Sequence, residues 1–314
     1  MLSKIEKEIN RLKVEKNAVI LAHYYEEGAI QDIADFTGDS LYLAQKGKES
    51  SADIILLAGV VFMAESVKIL SPNKKVLVPD MAAGCSLVDS SPYEDYKAWK
   101  ESFTDPVLVS YINCSAAAKT ISDVICTSSN AEKVIASIPK DKQILFGPDK
   151  NLGRYLAKQS GREMEIWPGS CEVHVQFHAK NLFDLIQQHP DALVIAHPEC
   201  EEEVLNYASV IGSTSKLLNE VKTNPAKKFI VATEDGIFHQ MRKVRPDAEL
   251  IQAPTAEGCN CNHCPYMKLN SLEKILSALE TETPEITLTD QTIEMAKISL
   301  DRMLHISDGG NVIY

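Results

Sequence analysis

The chain has 314 residues, 45% of them apolar and 24% charged, with a net charge of −12; this exceeds one comfortable core and points to two or three globular domains. The negative balance argues against nucleic acid or an anionic membrane surface as partner, and it requires that any anionic substrate be held by local donors. No stretch reaches the ~18 apolar residues of a membrane span, the charged start lacks the apolar core of a signal peptide, and eight cysteines without a secretion signal read as reduced thiols of a cytoplasmic protein.

In chain order, Leu2, Ile5, Ile9 and Leu12 recur at helical spacing and predict an amphipathic helix over residues 1–17. A first α/β unit, 18–105, begins with strand 18–22 running into His23-Tyr24-Tyr25. A short helix follows, then Gly38-Asp39-Ser40 opening a second helix, strands 54–58 and 76–78, and Cys85. A second unit, 106–191, has strand 107–109, then Tyr111-Ile112-Asn113, Ser128 opening a helix, strand 143–146 and Cys171. A third, 192–280, has strand 193–196, His197-Pro198-Glu199, Gly212-Ser213-Thr214 opening a helix, strand 229–232, and a cluster running from Gly258 through Cys259, Cys261 and Cys264 to Pro265. Residues 281–314 predict a closing helix carrying Ile293, Ala296, Leu300, Met303 and Leu304, capped by Thr289 or Asp290. The tail from Asp308 reads as a mobile segment or a lid.

The three units are copies of one pattern. Their strand ends His23, Tyr111 and His197 lie 88 and 86 residues apart. Seventeen residues beyond each stand Ser40, Ser128 and Thr214; 36 beyond stand Gly59, Gly147 and Thr233; 60 to 62 beyond stand Cys85, Cys171 and Cys259. Such a period decides the fold. Short apolar strands alternating with helices mark βαβ units and parallel sheets, and right-handed crossovers put all strand C-termini on one side of each sheet, where ligands bind. The expected class is α/β: three α/β/α units with small parallel sheets, related by pseudo-threefold symmetry around a central cavity.

The residues gathered at those strand ends carry chemistry. Ser40, Ser128 and Thr214 at helix starts could be ordinary caps; three at one offset read instead as a cradle for carboxylates or phosphates, since helix N-termini attract anions. His23, Tyr25, Tyr111, Asn113, His197 and Glu199 include the side chain types of general acid–base steps. For the cysteines two readings stand. Cys261 and Cys264 with Cys171, His174 and His178 have the spacing of a zinc site. Three thiolates from three units suit an iron–sulfur cluster with one iron left open as a Lewis acid, a reading that also uses Cys85. Cys114, Cys126 and Cys200 read as buried thiols. Neither a Gly-x-Gly-x-x-Gly run nor a Gly-Lys-Ser/Thr phosphate loop is present, which speaks against a nucleotide enzyme.

Taken together, Ala22-His23-Tyr24-Tyr25, Gly38-Asp39-Ser40, the stretches from Tyr111 to Ala116 and from Cys126 to Asn130, Gly147-Pro148-Asp149-Lys150-Asn151-Leu152-Gly153, Trp167-Pro168-Gly169-Ser170-Cys171, His197-Pro198-Glu199-Cys200, Gly212-Ser213-Thr214 and Cys264-Pro265-Tyr266-Met267 resemble the quinolinate synthase family, over about residues 18 to 280. The resemblance implies three α/β/α domains around a [4Fe–4S] cluster. It implies condensation of iminosuccinate with dihydroxyacetone phosphate to quinolinate, losing phosphate and two waters, in NAD biosynthesis from aspartate, with an aspartate-oxidising enzyme as functional supplier. It implies Cys85, Cys171 and Cys264 as cluster ligands, and His23, Ser40, Tyr111, Ile112, Asn113, Ser128, His197, Pro198, Glu199 and Thr214 as substrate contacts. Glu199, Tyr25, Tyr111 and His197 are the expected catalytic groups. The repeat count marks Cys259 as third ligand where the family pattern marks Cys264. The family pattern is preferred because counting fails across insertions, and Cys259 and Cys261 then read as spare thiols or a redox pair.

Overall fold

The computed structural model describes residues 3–256 and 262–314. Its first helix, Lys4–Glu15, starts where a capping box ties Ser3 to Glu6, satisfying N–H groups that a helix start otherwise leaves open. Among the described residues, twelve strands follow in three parallel four-stranded sheets. The first holds β1 (Ala18–His23), β2 (Phe36–Gly38), β3 (Ile54–Ala58) and β4 (Lys75–Leu77). The second holds β5 (Val107–Tyr111), β6 (Val124–Cys126), β7 (Ile144–Gly147) and β8 (Met164–Ile166). The third holds β9 (Leu193–Ala196), β10 (Val210–Ile211), β11 (Lys228–Ala232) and β12 (Glu249–Gln252).

Every sheet has one strand order, second-first-third-fourth: β2-β1-β3-β4, β6-β5-β7-β8 and β10-β9-β11-β12. The α/β class with three repeated units is therefore present. Register aligns Ala18 with Ile54 and Ala22 with Ala58 in the first sheet, and Phe229 with Leu193 in the third. Strands β3 and β5 are buried along their whole length, because helices cover both faces; this is why they are apolar runs rather than alternating ones.

Against one face of the first sheet, Ile9 and Leu12 pack with Ile20, Leu56, Ile275 and Leu279, so the first helix and the helix Leu272–Thr281 share a layer. On the other face, helices Ser40–Glu49 and Val61–Leu70 cross closely at Gly47, where a Cβ would stand 2.9 Å from Val67 Cγ1. The closing helix Asp290–Ser307, capped by Thr289, buries Ala296, Leu300 and Met303 in the core to which all three units contribute. The tail is neither free nor a lid. Val312 and Tyr314 pack on that core, and the Tyr314 hydroxyl lies 2.8 Å from Ser137 Oγ.

Candidate active site and metal centre

The C-terminal ends of β1, β5 and β9 deliver His23, Tyr111 and, one residue past the strand, His197. All three are buried and line one cavity. Tyr25, Ile112, Asn113 and Glu199 join them, as do Ser40, Ser128 and Thr214. Of the expected substrate contacts, Pro198 alone is absent from the wall.

The three hydroxyl positions differ in detail from the sequence expectation. Ser40 and Thr214 are the first residues of helices Ser40–Glu49 and Thr214–Thr223, whose caps are Asp39 and Ser213. Ser128 opens no helix; it lies in the turn before helix Ala131–Ser137 because Asn130 closes that turn by accepting from the Thr127 N–H at 2.7 Å. Its hydroxyl sits 3.2 Å from His197 Nε2. Asp39 ties the three starts together: its Oδ2 accepts from Ser129 Oγ at 2.7 Å and Ser215 Oγ at 2.6 Å, one from each of the other units.

Glu199 is the centre of a second network. Its Oε1 accepts from the Tyr111 hydroxyl at 2.6 Å, and its Oε2 lies 3.0 Å from His174 Nδ1. That same ring nitrogen is 3.2 Å from Cys171 Sγ, and His174 Nε2 meets Thr233 Oγ1 at 2.9 Å. Thr233 Oγ1 in turn bonds the Tyr25 hydroxyl at 2.7 Å. His197 stacks on His174 with ring centroids 4.6 Å apart. Burial favours a neutral Glu199, but the imidazoles of His197 and His174 and the Tyr111 hydroxyl outweigh it and hold the carboxyl below its ordinary range. Burial lowers His23 to about 4 and, against the pull of the Glu199 carboxylate, lowers His197 to about 3. It raises the phenols of Tyr25 and Tyr111 well above 10, so both keep their protons. The cavity wall thus carries the carboxylates of Asp39 and Glu199 among imidazole, phenol and hydroxyl groups and no Lys or Arg among its described residues.

Cys85, Cys171 and Cys264 line the same cavity. They are half-buried free thiols, whereas Cys114, Cys126 and Cys200 are fully buried. Cys264 adds to the upward push on Cys85, and Cys85 to that on Cys171. Burial pushes Cys85 up to about 12 and Cys264 up to about 11, and Cys171 also upward. Such thiols ionise only when a positive group arrives to compensate them, and three of them around one cavity fit an iron–sulfur group. Cys259 and Cys261 lie outside the described residues.

Among the described residues, the possible ligands gathered around Cys171 and His174 do not include His178, which is also absent from the cavity wall. Ligand atoms of Cys171, His174 and Glu199 do lie within 4.8 Å of one another. The other cluster of this kind among the described residues, Glu234, Asp235 and His263, has the Glu234 oxygens committed to the N–H groups of Gly236 and Cys264 and to Lys268.

Sequence reasoning missed the roles of His174, Thr233 and Asp39 in these networks. Thr233 carried a signal, since it occupies the repeat position of Gly59 and Gly147. Glu199 and Thr233 reach His174, and Ser129 and Ser215 reach Asp39, from other units, and no local pattern announces them.

The family model for quinolinate synthetase A protein matches residues 7–305. Among curated proteins, the quinolinate synthase of Nostoc punctiforme is 54% identical over 299 residues, 95% of this chain and 92% of that protein. That of Trichormus variabilis is 53% identical over 300 residues, 96% and 93% of the two chains. That of Synechocystis is 52% identical over 299 residues, 95% and 94%. With the matched family model spanning all three sheets, the chain belongs to the quinolinate synthetase A family.

Proposed function

We propose that the chain is a quinolinate synthase that condenses iminosuccinate with dihydroxyacetone phosphate, releasing phosphate and two waters, in the cytoplasmic biosynthesis of NAD from aspartate. The observation that carries this reading is the convergence of one thiol from each unit, Cys85, Cys171 and Cys264, on the cavity that also holds Glu199. Those three thiolates would hold a [4Fe–4S] cluster, which supplies an open iron as Lewis acid toward substrate oxygens. An aspartate-oxidising enzyme would supply the iminosuccinate. The domain limits of this reading are 18–105, 106–191 and 192–280, arranged around a pseudo-threefold axis.

The chain's own groups divide the remaining work. Ser40, Thr214 and His23, with Ser128 and Asn113, hold carboxylates through neutral donors, as the absence of Lys and Arg among the described lining residues requires. Glu199, kept ionised, takes protons from substrate. Tyr111 and Tyr25, kept protonated, give them. His197 meets Ser128 Oγ through Nε2 at 3.2 Å and accepts the Glu199 backbone N–H through Nδ1 at 3.4 Å, and so positions the residue that carries the base.

A second reading rests on the close approach of Cys171, His174 and Glu199: a single zinc ion in a protein without this activity. Protein purified without oxygen separates the two. About four irons and four sulfides per chain, with quinolinate formed from the two substrates, is the expected result; stoichiometric zinc in a colourless, inactive protein would replace the cluster reading with the zinc one. Iron is expected to be lost in Cys264→Ala and kept in Cys259→Ala. The reverse pattern would move the third ligand to Cys259.

A further inference from the structure

Two buried carboxylates beside the cavity have no part in the proposed chemistry. Asp149 and Glu234 are both fully buried, and they stand at nearly the same place in the second and third units, just past the C-terminal ends of β7 and β11. Asp149 comes two residues after the landmark Gly147, and Glu234 one residue after its counterpart Thr233. The longer glutamate side chain spans the difference.

Their bonding is divided the same way. One oxygen closes the local turn: Asp149 Oδ1 accepts from the N–H groups of Asn151 and Leu152 at 2.7 and 2.9 Å, and Glu234 Oε2 from Gly236 at 2.7 Å. The other reaches into the loop after the neighbouring strand and accepts from the N–H of a cysteine. Asp149 Oδ2 holds Cys171 at 2.8 Å, and Glu234 Oε1 holds Cys264 at 3.2 Å, where Lys268 Nζ also lies 3.2 Å away.

In the first unit the corresponding positions are Val60 and Val61, which have no carboxylate to offer. There the chain itself makes the tie, with the Val61 N–H donating to Ala83 O at 2.8 Å, two residues before Cys85. All three cysteine loops are thus tied to the end of the third strand of their own sheet, two by a carboxylate and one by the backbone.

We propose that Asp149 and Glu234 are positioning residues that fix the backbone of Cys171 and Cys264 so that their sulfurs face one bound cluster, a proposal that rests on the iron–sulfur reading. Each carboxylate links the loop bearing a thiol to a strand of the sheet, so the loop keeps its shape while the cluster is absent and holds it once loaded. Groups that support ligands in this way typically change metal retention by about 10–100-fold when altered.

The test uses the full chain, reconstituted with iron and sulfide without oxygen, as wild type, Asp149→Asn, Glu234→Gln and Glu65→Gln. Glu65 is the control, because its carboxylate accepts from the Ala116 N–H at 2.8 Å away from the cavity wall. Iron release to an added chelator should be about tenfold or more faster in Asp149→Asn and Glu234→Gln and unchanged in Glu65→Gln. The electron paramagnetic resonance spectrum of the reduced cluster should change in the first two variants only. In the metal-free proteins, amide exchange at Cys171 should rise in Asp149→Asn, and at Cys264 in Glu234→Gln. Asp149 also caps helix Lys150–Ser160; should its variant not fold, Glu234→Gln decides, since it caps only the short turn Asp235–Ile237. Folded variants with wild-type release, spectrum and exchange overturn the proposal alone. A wild type that takes up no iron and sulfide overturns the cluster reading and the proposal with it.

Discussion

Glu199 keeps a negative charge on a wall where the described residues include neither Lys nor Arg. It can do so because the Tyr111 hydroxyl at 2.6 Å and His174 Nδ1 at 3.0 Å replace water as its hydrogen-bond partners, and charge-assisted bonds of this kind are the strong ones. A Glu199→Gln variant should fold normally and lose about 10²–10⁴-fold in kcat; unchanged turnover in a quinolinate assay would remove Glu199 as the base. Glu26 shows the opposite balance. It is fully buried, its Oε1 accepts from Asn270 at 2.7 Å, and its Oε2 has no partner among the described residues. Burial therefore raises its carboxyl from the ordinary 4.5 to about 8. The unfolded chain releases this proton near pH 4.5 and the folded chain only near 8, so the contribution to stability is complete below 4.5 and is lost as pH rises toward 8. Glu26→Gln should remove this dependence and leave the variant more stable than wild type above pH 8, by on the order of 5 kcal/mol. Denaturant titrations at pH 5 and pH 9 would show it, and parallel curves for the two proteins would refute it.

At the scale of elements, the ten-residue helices Ser40–Glu49 and Thr214–Thr223 each present a first-turn hydroxyl to the cavity. The N-terminus of a helix carries roughly half a positive charge, so a molecule of net charge −12 can still bind an anion there. A hydrogen bond to a charged group contributes about 1.5–3 kcal/mol. Ser40→Ala and Thr214→Val should therefore raise KM for iminosuccinate by about tenfold or more while kcat stays near wild type; a fall in kcat with KM unchanged would mean that these hydroxyls act in the chemistry instead. The Ser128 turn was misread as a helix start because its sequence, Thr127-Ser128-Ser129-Asn130, is equally compatible with a cap and with a closed turn. The side-chain bond from Asn130 back to Thr127 decided it.

For the whole molecule, the closing helix packs on elements far from it in the chain, in the first unit and the second. Ser299 Oγ donates to Lys119 O at 3.0 Å, Arg302 to Asp123 O at 2.8 Å, and Asn130 to Ser307 Oγ at 2.8 Å, while Leu300 is fully buried in the shared core. Truncating that side chain leaves a cavity between units. Leu300→Ala should lower stability by about 2–5 kcal/mol, read by denaturant unfolding of the metal-free protein. A loss well below 1 kcal/mol would mean that the helix is an appendage rather than a clamp.

Much of this was legible in the chain itself. Strand periodicity, the spacing of 88 and 86 residues between strand ends and the recurrence of hydroxyls and cysteines at matching offsets are local or strictly periodic signals, and each sheet follows from them because a βαβ unit is built from contiguous sequence. Resemblance to a known family supplied what spacing left open, above all Cys264 in place of Cys259. The tertiary structure alone decided how the groups are paired. His174 meets both Cys171 and Glu199, Asp39 gathers serines from two other units, Asp149 and Glu234 reach across their sheets to cysteine N–H groups, and the tail docks on Ser137 rather than over the cavity. Each of these contacts spans 22 to 177 residues of chain, apart from that between His174 and Cys171 three residues away, and contacts of that range form only when packing brings separate elements together.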